Sequence, residues 1–232
     1  MAGSARHLSG GGKGDACVSL RGRGGGNSRR EFLSPYPKID SLSPYFSRQE
    51  MSLDIYLGPM FAGKSSAVLS IIRRNTFIGR KTLCLTSSLD NRYGSSSIVT
   101  HDRESCPALA TKTLLDLQQL TDFQKADCVI IEEAQFFTDL KEFVLKAVEV
   151  YHKHVICVGL DGDSRREPFG QLLELIPYCD YVTKLKALCP VCRDGKEAIF
   201  TFRVPGAPTE QVNVAGADQY QALCRKHFLA MK

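Results

Sequence analysis

The chain has 232 residues, 43% of them hydrophobic and 24% charged, which suits a globular protein of one domain or one domain with a small appendage. No apolar run approaches the roughly 20 residues of a membrane span, which excludes a helical transmembrane reading. Formal charge is +5, but residues 1–50 hold eight Lys/Arg against four Asp/Glu, a net of +4 that leaves +1 on the rest. Nucleic-acid binders concentrate positive charge on the folded domain itself, so neither nucleic acid nor a membrane is expected as a partner.

Residues 1–50 read as a disordered, basic Gly/Ser/Arg-rich leader. Nine of the nineteen glycines fall within residues 1–30, among Ser, Arg and Asn, with little to bury. Gly10-Gly11-Gly12 and Gly24-Gly25-Gly26 have no strand before them and read as linker rather than phosphate loops. So much glycine also spoils the amphipathic helix of a transit peptide. Nine cysteines, an odd number with no secretory signal, argue for a reducing compartment, and a cytoplasmic protein is expected.

Residues 51–186 alternate strand and helix. Leu53-Asp54-Ile55-Tyr56-Leu57 is the first strand and residues 65–72 the first helix. Lys81-Thr82-Leu83-Cys84-Leu85-Thr86 is a second strand, and Ile98-Val99-Thr100-His101 a short third. Residues 114–120 read as helical, and Asp127-Cys128-Val129-Ile130-Ile131 as a buried strand. Leu140, Phe143, Val144, Ala147 and Val148 form a helical stripe over residues 139–152 before the buried strand at residues 154–160. Near-continuous apolar strands separated by helices predict an α/β domain with a parallel sheet covered on both faces. Cys84, Cys128 and Cys157 lie inside such strands and read as small buried hydrophobes.

Gly58-Pro59-Met60-Phe61-Ala62-Gly63-Lys64-Ser65 fits G-x-x-x-x-G-K-[ST] between the first strand and first helix, the context that a phosphate loop requires. Backbone N–H groups in such a loop converge on phosphate oxygens, and the helix N-terminus adds favourable partial charge. Lys64 then reaches the β- and γ-phosphates while Ser65 holds Mg²⁺. Glu132 and Glu133 follow an apolar strand, where phosphate-loop enzymes place the acid that holds the water shell of Mg²⁺, assigned here to Glu132. A second acid beside it can take a proton from an attacking hydroxyl, and adjacent residues facing opposite ways give the two different tasks.

Cys189-x-x-Cys192 and Cys224-x-x-His227 form two ligand pairs, the grouping of a closed tetrahedral zinc site. The 31 residues between the pairs exceed a C₂H₂ finger and predict a ribbon or metal-stapled loop. All four positions are occupied by protein, so the zinc is expected to be structural, its binding coupled to folding of the segment it closes.

Taken together, the phosphate loop, Asp90-Asn91-Arg92-Tyr93, Thr100-His101-Asp102, Glu133-Ala134-Gln135-Phe136-Phe137 and Leu160-Asp161-Gly162 occur in one consistent order. Arg166-Glu167-Pro168-Phe169-Gly170, Gly216-Ala217-Asp218-Gln219-Tyr220 and the two ligand pairs complete it. This set resembles the type II, zinc-containing thymidine kinases. The resemblance implies a P-loop, RecA-like domain at residues 51–186 with a small zinc-ribbon or lasso domain at residues 187–232. It implies transfer of the γ-phosphoryl of ATP to the 5′-hydroxyl of thymidine, with Mg²⁺ and structural Zn²⁺, a homotetramer and feedback by thymidine triphosphate. Glu133 is then the general base, and Asp90, Asn91, Arg92 and Gln135 join the ATP site. Met60, Leu160, Ser164, Phe169, Thr201, Val212, Val214, Gly216 and Tyr220 are implied to bind the nucleoside. The chain departs from the family pattern at Glu132, where many members have Asp, and at Ser164, where an aromatic often stands, which bears on substrate preference. The alternative from another class is a recombinase- or helicase-type ATPase whose zinc ribbon binds nucleic acid, which leaves the near-neutral domain unexplained.

Overall fold

The computed structural model describes residues 51–89, 97–99, 105–208 and 210–231. The leader, Asp90, Asn91, Arg92 and Thr100-His101-Asp102 lie outside the described residues. Six strands form one sheet: β1 (Ser52–Leu57), β2 (Thr82–Ser87), β5 (Leu109–Thr111), β6 (Cys128–Ile131), β7 (His154–Gly159) and β8 (Tyr181–Lys184). Their order is β5-β2-β6-β7-β1-β8 and every pairing is parallel, as near-continuous apolar strands demand. β3 (Ser97–Val99) and β4 (Ser105–Pro107) form a separate antiparallel pair.

Alternation along each strand separates two cores. Leu53, Ile55, Leu57, Leu85, Val129, Ile131, Val155 and Cys157 face one way, against Phe123 of α2 (Thr121–Lys125) and Phe143 of α3 (Leu140–Leu145). Cys84, Cys128, Ile130, Ile156 and Val158 face the other way, against Val68 and Ile71 of α1 (Lys64–Phe77) and Ile98 of the β3–β4 pair. The sheet is therefore covered on both sides, and the ends of its strands are left to carry side chains with chemistry.

Four elements differ from the sequence reading. β8 is exposed at all four residues and β5 has only three, so neither offers an apolar run to detect. The stripe over residues 139–152 is α-helical only to Leu145 and continues as a π-turn over Lys146–Val150, with Tyr151 N–H donating to Lys146 O. Apolar spacing reports a helical face, but does not distinguish a four-residue from a five-residue hydrogen-bonding step. Residues 114–120 contain a 3₁₀ turn, Leu115–Gln119, rather than an α-helix. The buried Lys153 ammonium donates to Gln124 O and Ala126 O at the end of α2, and burial lowers its pKa.

After β8 the chain builds a small antiparallel unit. β9 (Ala187–Leu188) pairs with β10 (Glu197–Ala198), β11 (Phe200–Arg203) pairs with β12 (Tyr220–Leu223), and α4 (Arg225–Ala230) follows. Its core gathers Ala187, Ala198, Phe202, Leu223 and Phe228, and Phe61 and Ala62 of the phosphate loop pack against it. Phe228 is 1% exposed and lies 5.0 Å from Phe200 and 5.9 Å from Phe202 between ring centroids.

Candidate active site and metal centre

In open parallel sheets, ligands bind outside the carboxyl ends of the strands, where the strand order reverses. β1 ends at Leu57 and leads into the phosphate loop, β6 ends at Ile131 before the two acids, and β7 ends at Gly159 before the turn at residues 160–170. β6, β7 and β1 are consecutive neighbours in the sheet, so these three connections emerge side by side.

The phosphate loop has the backbone that its glycines predict. Gly63 takes φ 77°, a left-handed conformation that admits the first turn of α1 directly after it. Gly58 passes so close to Leu185 O that a Cβ there would collide with main chain. Phe61 also has positive φ, 63°, a strained conformation for a bulky residue, held by its packing on the C-terminal core. Met60 N–H donates to the Thr201 hydroxyl at 3.1 Å, a second tie between loop and C-terminal unit. Lys64 Nζ donates to Gly58 O at 3.3 Å and Pro59 O at 2.8 Å, which folds the ammonium across the loop.

The two acids diverge. Glu132 is 7% exposed, its backbone N–H extends the sheet to Leu85 O, and its Oε1 accepts from Ser65 Oγ at 2.5 Å. The hydroxyl and carboxylate assigned to Mg²⁺ thus share one point at the start of α1. Glu133 leaves the strand at φ 51°, a left-handed turn that costs a non-glycine residue about 1 kcal/mol and redirects its side chain. Its Oε2 accepts from Gln135 Nε2 at 2.5 Å, and Gln135 Oε1 accepts from Leu160 N–H at 3.0 Å. Gln135, implied by the resemblance as an ATP-site residue, is 3% exposed with both ends of its amide engaged, and spans from Glu133 to the end of β7.

Past β7, Phe169 is 6% exposed and meets Phe136 edge-on at 5.6 Å. Ser164 is part-buried in the same turn. Asp163 organises this turn. Its Oδ1 accepts the backbone N–H groups of Arg165 (2.8 Å) and Glu167 (2.9 Å), and its Oδ2 accepts Gln211 Nε2 at 3.1 Å. Arg166, at φ 69°, lays its guanidinium over the rings of Phe200 and Phe228 at 5.5 and 5.1 Å. Asp161 and Lys184 pair at 2.6 Å and join the turn to the end of β8.

The segment implied to hold the base runs without regular structure before β12. Val212 is exposed, Val214 and Gly216 are part-buried, and Gly216 O accepts the N–H groups of Gln219 and Tyr220. Tyr220 is 6% exposed, and its hydroxyl donates to Asn213 O at 3.1 Å while accepting from Arg203 Nη2 at 3.2 Å. Thr201, implied as a nucleoside contact, is 4% exposed with its hydroxyl on Met60 N–H, which makes it a support of the phosphate loop.

Cys189, Cys192, Cys224 and His227 bring their ligand atoms within 4.8 Å of one another. His227 Nδ1 stands 3.4 Å from Cys189 Sγ, 3.3 Å from Cys192 Sγ and 3.4 Å from Cys224 Sγ, and Cys192 Sγ is 3.7 Å from Cys224 Sγ. Ligands at zinc distances of about 2.3 Å for sulfur and 2.0–2.1 Å for nitrogen, placed tetrahedrally, stand about 3.5–3.8 Å apart. The cluster fits a closed structural metal site of the Cys₃His type. It is the only group of three or more such ligands among the described residues.

Sequence reasoning gave no contact to Asp163 or Gln211, and quoted Arg166 and Gln135 within segments without the contacts they make here. A glutamine two residues beyond an acid was visible, but its reach to Leu160 depends on β6 and β7 being sheet neighbours.

Residues 51–228 match the family described as thymidine kinase. Thymidine kinase a of Arabidopsis thaliana is 42% identical over 193 residues, spanning 82% of this chain and 80% of that protein. The thymidine kinase of Oryza sativa subsp. japonica is 38% identical over 213 residues, 90% of this chain and 73% of its own length. That of variola virus is 39% identical over 178 residues, 76% of this chain and 96% of its own. The recombinase or helicase alternative finds no support among these relatives. Because the match extends from the strand before the phosphate loop to the last metal ligand, the chain belongs to the thymidine kinase family.

Proposed function

We propose that this protein transfers the γ-phosphoryl group of ATP to the 5′-hydroxyl of thymidine, releasing thymidine 5′-phosphate and ADP. The observation that carries the reading is the divergence of two adjacent acids at the end of β6. Glu132 meets the phosphate-loop hydroxyl of Ser65, while Glu133 is turned away and held by Gln135 beside the β7 turn. One acid thus serves the phosphate side and the other the nucleoside side.

On this reading the loop amides and the dipole of α1 bind the phosphates, and Lys64 exchanges its two carbonyl partners for β- and γ-phosphate oxygens. Ser65 Oγ and Glu132 Oε1 form an oxygen pair that would hold Mg²⁺, which would supply positive charge against the phosphates. Glu133 receives the proton of the 5′-hydroxyl, and Gln135 orients its carboxylate through the hydrogen bond to Oε2. The Leu160 and Phe169 side accommodates the base, with main chain around residues 212–216 reading its polar edge. Such readout discriminates strongly, because a wrong base leaves buried polar groups unpaired. The metal-stapled segment, residues 187–232, acts as the support of that readout, and residues 51–186 as the phosphoryl-transfer domain.

Incubation with γ-labelled ATP, Mg²⁺ and a panel of nucleosides tests the proposal. Label is expected in thymidine 5′-phosphate, with purine nucleosides unlabelled. Release of inorganic phosphate with no nucleoside monophosphate would refute it.

A further inference from the structure

Residues 163–167 form a closed block in the turn after β7. Arg166 N–H donates to Asp163 O at 3.0 Å, and Asp163 N–H donates to Glu167 O at 2.9 Å. The buried Asp163 carboxylate accepts the Arg165 and Glu167 amides as well. One end of this turn abuts the site. Gly170, at φ 61°, passes so close to Gln135 O that a Cβ there would collide with main chain, and Phe169 packs edge-on against Phe136. Gln135 is the residue that hydrogen-bonds Glu133.

The other contact of the turn runs to the metal-ligand cluster. Arg166 takes φ 69°, a left-handed conformation that is strained for a residue with a Cβ. Its guanidinium lies over Phe228 at 5.1 Å and Phe200 at 5.5 Å, within cation–π range. Both rings sit beside metal ligands. Phe228 directly follows His227, and its N–H donates to Cys224 O at 2.9 Å. Phe200 pairs across β11 and β12 with Leu223, the residue before Cys224. Arg225, the residue after Cys224, lays a second guanidinium over Phe200 at 5.0 Å. A displacement of Cys224 or His227 is therefore felt at the two packed rings, and through them at Arg166.

We propose that Arg166 is a positioning residue that couples the Cys₃His cluster to the nucleoside side of the site, so that zinc and thymidine each strengthen binding of the other. The inference rests on the reading above that thymidine is the substrate held beside the β7 turn. With the four ligands drawn together, Phe200 and Phe228 present a fixed surface, the guanidinium stacks on it, and the turn is held against Gln135. With the ligands apart, the rings lose their fixed place and the turn loses the contact that offsets its strained residue. Thymidine then has to order the turn itself, which lowers its affinity. Linkage makes the effect reciprocal: the factor that zinc adds to thymidine affinity, thymidine adds to zinc affinity. Residues 212–216 belong to the same C-terminal unit and carry the part of the coupling that does not pass through Arg166.

The test is an equilibrium titration of the full-length, zinc-loaded protein with a chelator of known zinc affinity, with and without saturating thymidine. Thymidine should tighten zinc binding by the parent at least about fivefold. Arg166→Asn suits a left-handed backbone but is too short to stack on the rings. It should leave zinc affinity without thymidine unchanged and shrink the thymidine effect about two- to fivefold, the worth of one exposed cation–π contact. Arg166→Lys should keep part of the effect, because an ammonium still sits favourably over a ring. Phe200→Leu removes a ring from the other side, so it reports even if Arg166→Asn fails to fold. The double variant should lose no more than Arg166→Asn alone, because both changes act on one stack. A thymidine effect in Arg166→Asn equal to the parent's, or losses that multiply in the double variant, would overturn the proposal. So would a loss of zinc affinity in Arg166→Asn that is the same with and without thymidine, the mark of a purely structural support. Thymidine phosphorylation by the same preparation separates the two levels: phosphorylation with zinc affinity indifferent to thymidine refutes the coupling alone, and no phosphorylation refutes both.

Discussion

On the proposed reading, eight consecutive residues and one carboxylate make the phosphate end of the site, whereas the nucleoside end draws on at least four separated segments. Ser65 meets Glu132 because β1 and β6 both flank β7 in one parallel sheet. The turn at residues 160–170 is shaped instead by Asp163 reaching Gln211, Arg166 lying on Phe200 and Phe228, and Gln135 reaching Leu160. One end is dictated by local backbone and sheet topology. The other is held by side-chain ties to a unit that four metal-ligating residues can close. The two ends communicate where Met60, Phe61 and Ala62 touch the C-terminal unit.

That division yields tests of graded size. Glu133→Gln keeps the shape and the contact to Gln135 but removes the base, so turnover should fall about 10²–10⁴-fold with little change in either KM. Near-normal turnover would remove Glu133 from proton transfer. Cys192→Ser should release the metal and reduce kcat/KM for thymidine by about 10–100-fold. The KM for thymidine should rise more than the KM for ATP; equal rises would erase the distinction between the two ends. Gln135→Ala removes one hydrogen bond from Glu133 and leaves Leu160 N–H without its side-chain partner, and a loss of about 10-fold in kcat is expected from one charge-assisted hydrogen bond. An effect on KM for ATP alone would instead return Gln135 to the nucleotide site. Gln211→Ala removes only the exposed tie to Asp163, and should raise KM for thymidine about two- to tenfold without touching kcat.

The smallest effect lies far from the chemistry. Burial disfavours the His154 imidazolium, but hydrogen bonds to Asp54 at 3.1 Å and to the Cys128 sulfur outweigh it and raise the pKa from 6.5 to about 9. Arg80 Nη2, 3.5 Å from the other ring nitrogen, is the cation facing it. A raised folded-state pKa contributes stability that is fully present below about pH 6.5 and is lost as pH rises through about 9. Melting temperatures of the parent and Asp54→Asn proteins should therefore converge across that window. Parallel curves would show that the contribution of the pair does not depend on the protonation of His154.

Legibility in the sequence follows the same line. The phosphate loop, both acids, four strands of the main sheet and the four ligands were readable, because each depends on residue type at short spacing or on apolar runs. β8 was not, since Tyr181, Val182, Thr183 and Lys184 are all exposed and show no alternation. The tasks of Gln135, Thr201 and Asp163 were not readable either. Each depends on which strands and loops become neighbours, through contacts 25, 141 and 48 residues apart in the chain. A left-handed Glu133 was equally hidden, because nothing in Ile131-Glu132-Glu133-Ala134 requires positive φ.

The most direct measurement is a crystal structure with adenosine and thymidine joined through a phosphate chain as a bisubstrate analogue. The phosphate chain should lie on the amides of residues 58–65, with the thymidine 5′-oxygen within hydrogen-bond distance of Glu133 and Glu132 on the Ser65 side. A thymidine moiety seated away from Glu133, or a phosphate chain bound outside the loop, would contradict the division of labour between the two acids.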